Sequence, residues 1–489
     1  MPVNAIIKRL QNTLLPDTVI LSVDYENKNR LQLENGDMIE NLPPFYRVRL
    51  QMTPGPGSLI HTEVWLPENW NGIFIGTGNG GMAGSIAFWL LPTYLRQNYA
   101  VANTDMGTSR GRESGIQNPD VWKDFGWRAT HLMTVAAKAL IAACYQKPPR
   151  FSYFTGGSTG GQQALSLAQR FPEDYDGIIA GVPANNRTNL HTYFLWNHLH
   201  LRRANGEPMF QTEEIEAITA FAAVFFQNRG DGEPGDRFVS FPQGDEAVID
   251  AFLKQLAKEM PALHPEQLSA LHAVYSGPVN PKTGERIYNG MPIGSEAFGC
   301  GINDCQQAES PHYYPFIWAF GKDYTAASFD FADDLDHLNH LLAKDLNAND
   351  PDLSAFTRHG GKLLIYSGSA DPCVSFPDAM RYYQRVLQRC GGYETVKDFC
   401  RYFLFPGKDH GNGGYGTNAI FANDNRASDL DALRRWRETD AAPDFLLAVR
   451  QTDGKTEFTR RVYPYGSPQF DVSLPCPPAC CDRYTAQDF

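Results

Sequence analysis

The chain has 489 residues, 42% hydrophobic and 20% charged, which is enough to bury a large core and to divide into more than one unit. A formal charge of -12 without any basic run argues against nucleic-acid or anionic-membrane partners. No apolar run reaches the roughly 18 residues of a spanning helix, and no secretory leader precedes the first strands, so a cytoplasmic location is expected of a chain starting at Met1.

Residues 1–66 read as strands and turns. Glu34-Asn35-Gly36-Asp37 is a hairpin turn between short apolar runs, and residues 46–52 and 60–66 alternate like half-buried strands. Gly72-Ile73-Phe74-Ile75-Gly76 is a short buried strand. It runs into the glycine-rich loop Thr77-Gly78-Asn79-Gly80-Gly81-Met82-Ala83-Gly84, which precedes a helical stretch at 86–96. Another strand is expected at 99–105, and residues 127–145 have helical periodicity, with Ala136, Ala137, Leu140, Ile141 and Cys144 on the apolar face.

Next comes Tyr153-Phe154-Thr155-Gly156-Gly157-Ser158-Thr159-Gly160-Gly161-Gln162-Gln163, an apolar strand end, a tight turn and a helix start. Gly156 to Gly160 is a G-x-S-x-G in the setting that a nucleophile elbow requires, and Ser158 is the candidate nucleophile. The glycines make sense if the serine sits at a strained apex crowded by neighbouring backbone. The pattern alone has little weight in a chain with 43 glycines, so partners must decide it.

Asp176-Gly177-Ile178-Ile179-Ala180-Gly181-Val182 is one more buried strand, and the alternation of strand and helix implies a mostly parallel sheet. The alternation stops at Pro183. Residues 184–349 hold helical stretches (213–226, 245–258, 265–274) among loops and no parallel strand, and read as an inserted domain between core segments 1–183 and 350–489. The sheet pattern resumes at 362–368, followed by a helix at 378–389, a strand at 401–405 and a helix at 430–437.

A serine nucleophile needs a histidine to take its proton and a carboxylate to orient that histidine, in the chain order Ser, acid, His for an α/β-hydrolase. The strand at 362–368 leads into Ser369-Ala370-Asp371-Pro372, and the next strand into Pro406-Gly407-Lys408-Asp409-His410-Gly411. Asp371 and His410 are therefore the candidate acid and base. Asp409 is the rival acid, disfavoured because an immediate neighbour is badly placed to reach the imidazole Nδ1. The oxyanion hole is expected from the backbone N–H of Thr159 and of Gly80 or Gly81. The glycine loop lacks the lysine of a nucleotide-phosphate cradle and the spacing of a dinucleotide fingerprint.

Nine cysteines form no obvious disulfide framework, and reduced thiols are expected, with a local Cys300–Cys305 pair as the alternative. Cys476, Cys480 and Cys481 cluster near the C-terminus without zinc-like spacing.

These blocks together resemble the tannase and feruloyl esterase family, which also includes an enzyme acting on the monoester released from a polyester plastic. The similar stretches are residues 78–84, 99–105, Arg128-Ala129-Thr130-His131, 153–161, 171–177 with Gly181-Val182-Pro183-Ala184, Gly294-Ser295-Glu296, 350–356, 360–372, and Pro406-Gly407 with His410. The resemblance implies an α/β-hydrolase core with a lid domain inserted before the acid. It also implies a Ser-Asp-His triad, which falls on Ser158, Asp371 and His410, and hydrolysis of phenolic-acid esters such as gallates or hydroxycinnamates. Acyl transfer by the same triad, or a silent fold that only binds a phenolic ligand, are the alternatives. Aromatics of the insertion (Tyr193, Phe194, Trp196, Tyr288, Tyr313, Tyr314, Trp318) are candidates for the acyl pocket.

Two departures stand out. The family pattern has a cysteine just before the serine and another just after the histidine, which bridge the two loops; here they are Gly157 and Gly411. Family lids also carry an acidic calcium loop. The matching stretch runs from Asn228 to Asp236, with Asn228 and Asp231 in the first two ligand places, Gly235 in the third and Asp236 one residue late. No cofactor is otherwise expected.

Overall fold

In the computed structural model, which describes residues 2–242, 244–307, 313–423 and 425–470, one nine-stranded sheet organises the molecule. Its strands are β1 (Thr18–Glu26), β2 (Phe45–Met52), β3 (Ile60–Pro67), β4 (Ile73–Thr77), β5 (Ala100–Thr104), β6 (Phe151–Gly157), β7 (Gly177–Gly181), β8 (Lys362–Gly368) and β9 (Cys400–Phe405). The spatial order is β1-β2-β3-β5-β4-β6-β7-β8-β9. Pairings from β1 to β5 are antiparallel, and those from β5 to β9 are parallel.

Every residue of β4, β5, β7 and β9 is buried, as expected where helices cover both faces of a parallel sheet. Successive side chains on a strand point to opposite faces. Phe74, Phe154, Ile178 and Ile365 accordingly join one apolar cluster with Leu140, Leu165 and Met380. Their neighbours Ile75, Tyr153, Ile179 and Leu364 join a second cluster, with Leu433 and Trp436, on the other face.

Between β7 and β8 the described residues form only helices and loops, including Arg187–His200, Thr212–Gln227, Glu246–Glu259, Pro265–Ser276 and Asp333–Leu346. They build a cluster of their own around Ile215, Ile218, Phe225, Phe252, Leu256 and Leu271, and Cys373 and Val374 from the loop after β8 are part of it. The fully buried Glu296 ties this region together, accepting hydrogen bonds from Tyr275 (2.7 Å), Thr219 (2.9 Å) and the Gly294 N–H (2.8 Å).

The structure departs from the sequence reading in three places. Residues 3–11 are a helix, α1 (Val3–Gln11), where strands and turns were expected. Val3, Ile6, Ile7 and Leu10 recur at helical spacing and pack on the core, and Arg9 donates to the Cys144 carbonyl at 3.0 Å. Of the helical stretch at 86–96 only Leu91–Leu95 is helical, with Pro92 fitting its first turn. An antiparallel sheet of Ala419–Phe421, Leu446–Thr452 and Lys455–Val462 went unrecognised. No helix of the described residues is long and apolar enough to cross a membrane. Cys476, Cys480 and Cys481 lie outside the described residues.

Candidate active site

The carboxyl ends of β6, β8 and β9 lie along one edge of the parallel part of the sheet, the edge where open α/β sheets hold their ligands. Each strand delivers one residue there. Ser158 follows β6 directly and has φ 60° and ψ -119°, a conformation a non-glycine residue adopts only when its surroundings impose it. The surroundings are backbone. A Cβ on Gly156 would come within 2.7 Å of Gly160 atoms, and one on Gly78 within 2.5 Å of the Gly160 Cα. The elbow, its helix α2 (Thr159–Arg170) and the glycine loop thus meet without intervening side chains.

Hydrogen bonds fix that contact. Gly160 N–H donates to the Asn79 carbonyl at 2.8 Å, Asn79 N–H to Gln163 Oε1 at 2.8 Å, and Thr159 Oγ1 to the Gly81 carbonyl at 2.6 Å. Among the described residues no acceptor takes the backbone N–H of Gly80, Gly81 or Thr159. The glycine loop that carries Gly80 and Gly81 is held against the elbow at Thr159 and Gly160.

His410 Nε2 lies 3.0 Å from Ser158 Oγ, and His410 Nδ1 lies 2.8 Å from Asp371 Oδ2. A carboxylate only accepts, so Nδ1 carries the proton and Nε2 turns its lone pair to the serine hydroxyl. The other oxygen of Asp371 accepts the N–H groups of Cys373 (2.8 Å) and Val374 (2.9 Å), and the side chain is fully buried. Burial opposes the charged imidazolium of His410, but the charge and hydrogen bond of Asp371 outweigh it, so the pKa is raised. Cys300 acts in the same direction and Lys408 against it.

Asp409 is excluded as the orienting acid. Its Oδ2 accepts the N–H groups of Gly413 and Gly414, both at 3.0 Å, and so closes its own loop. Two hydrogen bonds also staple the acid and histidine loops: Ala370 N–H donates to the Lys408 carbonyl (3.0 Å) and Gly407 N–H to the Ser369 side-chain Oγ (2.7 Å). The Lys408 ammonium donates to the Gly411 carbonyl at 2.9 Å.

With this geometry in view, the comparisons are specific. The sequence profile of the family described as tannase and feruloyl esterase matches residues 48–472. The chain belongs to the tannase and feruloyl esterase family. As a member of that family it is a carboxylic-ester hydrolase. It is 30% identical to an uncharacterised esterase of Xanthomonas campestris, covering 89% of this chain and 82% of the relative. It is 29% identical to feruloyl esterase C of Talaromyces stipitatus, over 85% and 80% of the two chains. The fold superposes on feruloyl esterase B of Aspergillus oryzae with a TM-score of 0.83 at 24% identity, covering 96% of this chain and 99% of that one. For the tannin acyl hydrolase of Aspergillus niger the TM-score is 0.73 at 17% identity, over 94% and 91%. The fold is the α/β-hydrolase expected from the sequence.

In this tannase-family chain the loop of residues 228–236, the stretch matched to the calcium loop, is built around internal donors. Asp236 faces Arg460, whose Nη1 and Nη2 donate to its two oxygens at 2.8 and 2.6 Å. Asp231 accepts the N–H groups of Ser240 (2.6 Å) and Phe241 (2.9 Å), while Asn228 is exposed. Both carboxylates are taken by internal donors, one of them already cationic, so these residues do not fit an oxygen cage for calcium. The cysteines at 300 and 305 form no disulfide with each other; the Cys305 thiol donates to the Cys300 carbonyl at 3.4 Å.

Of the aromatic candidates, Tyr193, Tyr288, Tyr314 and Trp318 are at most 1% exposed and act first as packing. Tyr193 Oη also donates to the Pro372 carbonyl at 2.7 Å, holding the insertion to the acid loop. Sequence reasoning missed Arg187, the first residue of helix α3 (Arg187–His200). It is 3% exposed, and its Nη2 donates to Thr159 Oγ1 (3.0 Å) and Gln162 Oε1 (2.5 Å). The available signal was its place, a cation just past the carboxyl end of a central strand.

Proposed function

We propose that the protein hydrolyses carboxylic esters of phenolic acids through a Ser158-His410-Asp371 triad and an acyl-enzyme. The reading is carried by the continuous chain of contacts from Ser158 Oγ through His410 to Asp371, at 3.0 and 2.8 Å. His410 Nε2 accepts the Ser158 proton as Oγ attacks the ester carbonyl carbon. The N–H groups of Thr159 and of Gly80 or Gly81 hold the oxyanion. The tetrahedral intermediate collapses, the alcohol leaves with the proton from His410, and a serine ester remains. Water then attacks, its proton passing to His410 and on to Ser158 Oγ as the acid departs. Asp371 keeps the imidazole oriented and offsets its charge, and no cofactor enters any step.

Residues 184–349 serve as the lid over the acyl pocket in this reading. The insertion's apolar cluster includes Cys373 and Val374, so it is anchored on the loop that carries Asp371. Feruloyl esterase and tannase relatives make aromatic acyl groups the first substrates to try. The test is a panel of ferulate, gallate, chlorogenate and terephthalate esters, with and without competing alcohols, beside Ser158→Ala and labelling by an organophosphonate. Hydrolysis that survives in Ser158→Ala within tenfold of the parent would end the triad assignment.

A further inference from the structure

Among the described residues, Arg187 is a buried cation without an anionic partner. Its hydrogen-bond acceptors, Thr159 Oγ1 and Gln162 Oε1, are neutral, its Nε has no acceptor, its guanidinium lies 5.4 Å from the Phe125 ring centroid, and the Tyr314 hydroxyl beside it is kept protonated by burial, which raises its pKa against the pull of Arg187. No carboxylate of the described residues is within ion-pair distance of it. Its position is also unfavourable for a positive charge. It is the first residue of α3 and it contacts the first turn of α2, so it stands at the positive ends of two helix dipoles. A charge buried in such a place is unfavourable unless a negative charge offsets it.

The position suggests what arrives. Thr159 follows the nucleophile, and its hydroxyl takes a hydrogen bond from Arg187 while donating to the Gly81 carbonyl at 2.6 Å. The guanidinium thus stands one hydrogen-bonded side chain from the residue after the nucleophile, and that same Thr159 hydroxyl ties the elbow to the glycine loop.

We propose that Arg187 is a positioning residue for the oxyanion, whose negative charge is the missing counter-ion. A ground-state ester is neutral and gains little from the cation. The tetrahedral intermediate is negative, forms in a low-dielectric setting and meets a field that is already in place. Arg187 acts by its charge and by holding Thr159, rather than by touching the substrate. This inference rests on the serine-hydrolase reading above.

The test uses Arg187→Gln and Arg187→Met, which remove the charge in two shapes, and Arg187→Lys, which keeps it. Each is assayed on an uncharged ester such as methyl ferulate and titrated with an aryl boronate, which adds to a serine as a tetrahedral anion. The neutral variants are expected to lose roughly 30- to 300-fold in kcat with KM within about threefold, to bind the boronate weaker by a similar factor, and to be partly rescued in Arg187→Lys. A folded neutral variant with kcat within threefold of the parent would overturn the proposal. So would equal losses in all three, losses confined to esters bearing a free carboxylate, or failure of both neutral variants to fold while Arg187→Lys folds. Parent protein that neither hydrolyses nor reacts with a phosphonate overturns both readings; parent protein that does both beside an unaffected Arg187→Gln overturns only this one.

Discussion

His410 Nε2 meets Ser158 Oγ at 3.0 Å across 252 residues of chain, with no covalent link between their loops. In the family resemblance those loops are tied by cysteines at the places of Gly157 and Gly411. Here the pairing is held by the hydrogen bonds between residues 369–370 and 407–408, by Lys408 on the Gly411 carbonyl, and by the Asp371 carboxylate on His410.

The missing brace can be restored. A Cβ on Gly157 would have its nearest neighbour at 3.7 Å and one on Gly411 at 3.9 Å, which is ordinary contact. The double variant Gly157→Cys with Gly411→Cys is expected to form a disulfide under oxidation and to stabilise the protein by about 2–5 kcal/mol. Non-reducing peptide mapping shows the bond, and melting with and without reductant shows the gain. Readily oxidised thiols that never pair with each other would disprove the shared geometry.

Asp371 and Asp409 should separate cleanly on substitution. Asp371→Asn leaves the fold but removes the charge on His410 Nδ1, and kcat is expected to fall roughly 10³- to 10⁴-fold. Asp409→Asn weakens the caps on Gly413 and Gly414 and is expected to lower stability by about 1–2 kcal/mol, with a far smaller loss in kcat. Steady-state kinetics with melting curves for both proteins decide the matter, and a larger kcat loss in the Asp409 variant would reverse the assignment.

The pH profile has a definite sign. His410 works as a base only when neutral, and Asp371 raises its pKa over the opposing effect of burial. The rate should therefore rise with pH through an inflection above the ordinary histidine value of about 6.5. Replacing Lys408 by Met removes a charge that lowers the His410 pKa, so the inflection should move further up. A kcat/KM profile measured from pH 5 to 9 on both proteins is the check.

Calcium should be dispensable. Arg460 pairs with Asp236, which is 7% exposed in its side chain, and stacks its guanidinium 4.6 Å from the Phe458 ring centroid. Excess EDTA is expected to leave the melting temperature unchanged. Arg460→Met strands a mostly buried carboxylate and should cost about 2–4 kcal/mol. A drop in melting temperature on chelation, reversed by added calcium, would refute this account of the loop.

The sequence alone determined the mostly parallel sheet and the chain order of the candidate serine, acid and histidine. Buried runs such as residues 362–368 and 177–181 can only be central strands. Ser158, Asp371 and His410 each fall just beyond such a run, where local residue types announce the turn. The lack of a strand pattern between residues 181 and 362 was legible too, and the described residues there form only helices and loops. Only the tertiary structure decided that Asp409 turns inward to Gly413 and Gly414, that Arg460 fills the place of a cation beside Asp236, and that Arg187 has no carboxylate partner among the described residues behind Thr159. The reason is range. Local periodicity records which face of an element is buried, whereas a charge's partner is set by which distant segments pack together, 224 residues apart for Arg460 and Asp236.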